Sequence, residues 1–106
     1  MCQGFKQAGV DLIHVSTGGA GPQAPAVWPG YQVPHAERIR REVGLPVIAV
    51  GKLDSPHLAE SVIRQGQADL AAVGRAMLRD PHWAIHAALA LGERSPIPES
   101  YQRGYR

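Results

Sequence analysis

Asp69-Leu70-Ala71-Ala72-Val73-Gly74-Arg75-Ala76-Met77-Leu78-Arg79-Asp80-Pro81 reads as a short apolar strand running straight into the start of a helix. The run from Leu70 to Val73 is too short for a helix and suits a parallel strand covered on both faces. Gly74 ends it. A glycine there lets backbone N–H groups approach a ligand, and the first amides of a helix opening at Arg75 carry partial positive charge. The join is therefore a candidate anion site, best suited to phosphate.

Working outward, Val47-Ile48-Ala49-Val50-Gly51-Lys52 repeats the pattern, with a strand ended by glycine and a basic residue. Two adjacent parallel strands would then end side by side, as the last two strands of an eight-stranded α/β barrel do where they build a phosphate site. The alternative is that both glycines are plain strand-to-helix turns, with Lys52 and Arg75 as solvated charges. Two copies in consecutive units favour a binding role.

The flanking segments fit the same scheme. Residues 2–8 resemble the last turns of a helix stopped by Gly9. A strand over 10–16 buries Leu12, Ile13 and Val15, and His14 within it reads as a hydrogen-bonded core histidine in the absence of a paired metal spacing. A long loop over 20–32 holds Pro22, Pro25, Pro29 and Gly30, and loops of that length are often functional. Trp28 and Tyr31 either cover a ligand or anchor the loop.

Pro34 opens a helix to Val43 that turns Ala36, Ile39, Arg40 and Val43 inward, and Gly44 stops it. Ser55 caps a helix whose first residue is Pro56 and whose buried stripe is Leu58, Ala59, Val62 and Ile63. Asp80-Pro81 repeats that device, and Trp83, Ala84, Ala87, Ala88 and Leu91 face inward until Gly92. Three strands alternating with helices imply an α/β fold with a parallel sheet. The tail from Glu93 onward interleaves Tyr101 and Tyr105 with Arg103 and Arg106, either as a contact segment or as a frayed terminus.

Composition narrows the function classes. With 106 residues, 44% hydrophobic and 19% charged, the chain is that of a globular protein and is too short for a whole barrel. Lys plus Arg exceed Asp plus Glu by only 11 to 9 and are dispersed, so no nucleic-acid surface is marked. The single cysteine, Cys2, has no zinc-type partner, and no metal site is expected. A reducing cytoplasm fits, and no stretch has the length of a membrane span.

Several motifs together are similar to those of the old yellow enzymes, in the thermophilic-like branch of FMN-dependent NADPH dehydrogenases and ene-reductases. They are Gly9-Val10-Asp11-Leu12 leading to Val15-Ser16-Thr17-Gly18, Pro29-Gly30-Tyr31-Gln32-Val33-Pro34-His35-Ala36, Ala49-Val50-Gly51, Ala68-Asp69-Leu70 with Val73-Gly74-Arg75, and the terminal Tyr-x-Arg-Gly-Tyr-Arg. The second is the most specific, although phenylalanine is usual where His35 stands.

The resemblance implies the C-terminal three strand-helix units of a TIM (β/α)8 barrel over residues 1–92, followed by a tail over 93–106. It puts Gly51, Gly74 and Arg75 at the FMN phosphate, Ser16 to Gly18 near the flavin, and Arg106 in a neighbouring subunit's active site within a homo-oligomer. It implies hydride transfer from NADPH through FMN to the C=C bond of an α,β-unsaturated carbonyl, a small-molecule enone. The family's proton-donating tyrosine, substrate histidines, flavin-tuning cysteine and ring-binding arginine belong to segments preceding Met1, so no catalytic residue is expected in this stretch and the fragment alone is expected to be inactive. The competing expectations are a segment of another phosphate-binding barrel enzyme, or a truncated non-catalytic product.

Overall fold

The computed structural model describes residues 1–16, 28–94 and 96–105. They divide into two compact units, Met1–Val73 and Gly74–Arg106.

The first unit is built on a parallel sheet of three strands in the order β1 (Ile13–Val15), β2 (Val47–Ala49) and β3 (Leu70–Ala71). Val15 pairs with Ala49 and Ala49 with Ala71, so the strands finish level. Helices α1 (Cys2–Gln7), α2 (Val33–Val43) and α3 (Pro56–Arg64) alternate with them. As the middle strand, β2 has neighbours on both sides, and its Val47 and Ala49 are completely buried together with Ala36 of α2.

Local chemistry sets the helix ends. Ser55 accepts the Leu58 N–H at 3.4 Å and caps α3, with Pro56 at the first helical position as expected. Gly44 closes α2 in the left-handed region at φ 77°, returning its N–H to the Arg40 carbonyl. The last carbonyls of α2 are further satisfied from α1: Lys6 Nζ donates to Val43 O at 2.9 Å and Gln3 Nε2 to Glu42 O at 3.1 Å.

The strands are shorter than their apolar runs. The run at 70–73 contributes only Leu70 and Ala71 to the sheet, and Leu70 is 55% exposed rather than covered on both faces. The cause is its place: β3 pairs with β2 on one side and, among the described residues, with no strand on the other. The same holds for β1 at the opposite edge, where Leu12 lies outside the strand and is 40% exposed. His14 is exposed and is not a core histidine.

The second unit consists of α4 (Arg75–Arg79), α5 (Trp83–Ala90) and a 3₁₀ segment (Glu99–Tyr105). Ala76, Ala87 and Ile97 are its buried apolar residues. Of the face expected to turn inward on α5, Ala87 is buried whereas Ala84 and Leu91 are exposed. Apart from His86 the helix is apolar all round, so no polar face directs one side toward solvent. The tail is structured from Glu99 to Tyr105 rather than frayed.

Candidate functional site

Ser16 and Gly51 sit just beyond β1 and β2, at the carboxyl end of the sheet where ligands of parallel α/β folds bind. Ser16 is exposed and Gly51 buried. Gly51 adopts φ 121° and is followed by Lys52 at φ 51°, the only non-glycine residue with positive φ among those described. A side chain at Gly51 is excluded twice over, by that backbone and by its neighbours. A Cβ there would lie 3.1 Å from Tyr31 Cε1 and 3.2 Å from Gln32 Cβ and Cγ.

The segment that fills this space is Trp28-Pro29-Gly30-Tyr31-Gln32. Gly30 N–H donates to the Gly51 carbonyl at 2.9 Å, and Tyr31 N–H to the Trp28 carbonyl at 3.0 Å. Gln32, only 4% exposed, donates from Nε2 to the Tyr31 hydroxyl at 2.8 Å. The Trp28 and Tyr31 rings meet edge to face at 5.9 Å, and Trp28 is 56% exposed. Tyr31 thus anchors the segment on the β2 corner while Trp28 stays open to solvent. Thr17, Gly18 and the loop residues 20–27 lie outside the described residues.

Gly74 and Arg75 belong to the second unit. Gly74 is the N-cap of α4 at φ −101° and ψ −91°, and its carbonyl accepts the Met77 N–H at 3.0 Å. Among the described residues, nothing beyond its own neighbours in the chain lies within 4 Å of where its Cβ would stand. Arg75 is exposed, and among the described residues it has no ion pair or hydrogen-bonded side-chain partner. An open glycine followed by an unpaired guanidinium at a helix start fits a phosphate: amides can approach it and the fork can grip it. Arg106 lies outside the described residues.

A side-chain network that single-residue reading missed spans the opposite end of the sheet. Arg40 of α2 grips Asp69 through Nε at 3.0 Å and Nη2 at 3.3 Å, and its Nη1 donates to the Gly66 carbonyl at 2.9 Å. Asp69 Oδ2 also accepts the Val47 N–H at 2.9 Å, while the Asp69 N–H donates to the Val47 carbonyl at 3.0 Å. The hydrogen bonds from Arg40 and then from Val47 hold the Asp69 carboxyl below its ordinary range, and Asp69 in turn raises the Arg40 guanidinium. Its place at the amino ends of β2 and β3 marks it as structural. The inward position of Arg40 on α2 was the available signal.

Among the described residues no three His, Cys, Asp or Glu side chains gather as a metal site. Nor is any helix of them long and apolar enough to cross a membrane.

A profile of the NADH:flavin oxidoreductase / NADH oxidase family matches residues 3–93. The chain belongs to this family. It is 50% identical over 102 residues to an NADPH dehydrogenase of Geobacillus thermodenitrificans, covering 96% of this chain and 30% of that protein. NADPH dehydrogenases of a second Geobacillus strain and of Listeria welshimeri are 46% and 45% identical over the same lengths. The chain therefore spans about 30% of the length of the curated relatives it matches. The match to the flavin oxidoreductase family takes in Ser16, Gly51, Gly74 and Arg75 and stops short of the 3₁₀ segment.

Proposed function

We propose that this chain forms the C-terminal three strand-helix units of a TIM barrel of the old yellow enzyme type, and that it supplies the phosphate-holding part of the FMN site. The observation that carries the reading is the Gly74-Arg75 corner, where space beside a glycine precedes an exposed guanidinium at a helix start. Gly74 lends backbone N–H approach, and Arg75 lends a charge-assisted bond to a phosphate oxygen. In the first unit Gly51 offers a second strand-end corner, with a backbone that Tyr31 and Gln32 fix in place. Ser16, one residue beyond β1, faces the same carboxyl end of the sheet as Gly51 and stands near the flavin.

When bound, FMN would supply the hydride chemistry by which, at the expense of NADPH, the C=C bond of an α,β-unsaturated carbonyl gains a hydride at its β-carbon and a proton at its α-carbon. The groups of this chain bind and orient; none is assigned a proton in the reaction. In the homo-oligomer we propose for the whole enzyme, Arg106 enters the neighbouring subunit's active site.

The test is FMN affinity after grafting this segment into a complete barrel of the family. A charge-assisted bond is worth about 1.5–3 kcal/mol, so Arg75→Ala weakens FMN by roughly ten- to a hundredfold. Unchanged affinity would sink the assignment.

A further inference from the structure

The 3₁₀ segment has no buried residue, and an exposed stretch of that kind at a chain end ordinarily frays. Here it is fastened at both ends. At its near side Ile97 is only 3% exposed, and the Gln102 side chain returns to the Ile97 carbonyl at 3.5 Å. At its far side Tyr105 is held by two groups. Its ring lies against the imidazole of His86 on α5, with centroids 6.3 Å apart, and its carbonyl accepts a hydrogen bond from Arg94 Nη2.

His86 is itself oriented. Its Nδ1 lies 2.6 Å from Asp80 Oδ2, while Asp80 Oδ1 accepts the His82 N–H at 3.0 Å at the start of α5. One carboxylate therefore ties the helix start to the ring that Tyr105 rests on. Ring and carbonyl of a single residue are held from separate points in the chain, which sets the position of Tyr105 on α5.

We propose that Asp80, His86 and Arg94 are positioning residues: a latch that seats Tyr105 on α5 and fixes the point from which Arg106 departs. The functional value of that aim rests on the role proposed above for Arg106. A free tail would give the arginine reach in every direction. A seated Tyr105 leaves it one Cα–Cα step of about 3.8 Å from a fixed point. The side chains of Asp80 and His86 are 36% and 52% exposed, so each contact is individually weak and the seat depends on their acting together.

Trypsin cleavage after Arg103 reads the open state, because cleavage follows its population when reclosing is fast. In the full 106-residue chain, His86→Ala and Arg94→Ala should each speed that cleavage about three- to tenfold and leave cleavage after Arg64 unchanged. His86→Phe, which keeps a ring and loses the bond to Asp80, should fall between. Unchanged rates in both alanine variants overturn the latch. If a variant unfolds, cleavage after Arg64 rises with it, and the decision then passes to the unsubstituted chain, where absence of a nuclear Overhauser contact between the His86 and Tyr105 rings overturns the proposal. Arg106→Ala should leave both readouts as they are. Should that variant also keep the substrate affinity of the assembled flavoenzyme, the reading of Arg106 fails while the latch stands.

Discussion

Gly51-Lys52 and Gly74-Arg75 look interchangeable in sequence, each a glycine and a cation closing a parallel strand, yet the two corners are built on different grounds. At Gly51 a φ of 121° and the Tyr31 and Gln32 side chains both require glycine, and the requirement comes from the chain itself. At Gly74 φ is −101° and, among the described residues, nothing beyond its own neighbours in the chain lies within 4 Å of a Cβ, so no packing contact among them asks for glycine. A glycine explained by packing says little about a ligand, whereas one that packing leaves unexplained points outward. The second corner is thus the better phosphate candidate, although the first is the more constrained.

Substitution separates the two. Gly51→Ala combines a backbone penalty with a contact near 3.1 Å, and should cost about 2–4 kcal/mol in urea unfolding followed by circular dichroism. A loss under about 0.5 kcal/mol, the size expected at an unconstrained surface position, would erase the distinction.

The next effect lies at the other end of β2. Asp69→Ala strands the buried Val47 amide and should cost roughly 1–2 kcal/mol, with Asp69→Asn recovering part of it. Because the folded-state pKa of Asp69 is lowered, its contribution is fully present above the unfolded carboxylate value and is lost as pH falls through the lower folded one. Acid titration of stability should therefore flatten in Asp69→Asn below about pH 4; an identical acid limb in both proteins would show that the pairing with Arg40 and Val47 contributes nothing.

Lys52→Gly should raise stability by about 0.5–1 kcal/mol, since φ 51° burdens a residue with a Cβ and suits glycine. A loss on that change would mean that the lysine side chain holds the corner. Smallest of all, Gly74→Ala should move the unfolding midpoint by the equivalent of about 0.5 kcal/mol or less. In the grafted barrel Gly74→Val should weaken FMN more than Arg75→Ala does, because a branched side chain blocks the backbone approach. Normal FMN binding by Gly74→Val would leave the outward-pointing reading of this glycine without support.

Much of the fold was legible because its signals are local. Gly44, Ser55 and Pro56 act on their own turns, and each stands where the corresponding helix begins or ends. Strand burial is not local: Leu70 carries the same apolar signal as Val47, and only its seat at the sheet edge exposes it. The difference between the glycines was hidden for a related reason, since the atoms that confine Gly51 come from Tyr31 and Gln32, far earlier in the chain. Arg40 and Asp69 stand 29 residues apart, and no spacing rule joins them. On α5 the inward face could not be read because an almost uniformly apolar helix has no periodicity to read.

Asp69 has one more consequence. A strand of two residues is a poor ruler: sliding it by one position would exchange the faces of Leu70 and Ala71, and few ladder bonds resist the slip. Asp69 removes that freedom from outside the strand, since its N–H and carboxylate both engage Val47 while Arg40 holds the carboxylate against α2. The alignment of the third strand is written into a side chain that precedes it, so one residue inserted between Asp69 and Leu70 would leave the clamp intact and turn Leu70 and Ala71 over to each other's faces.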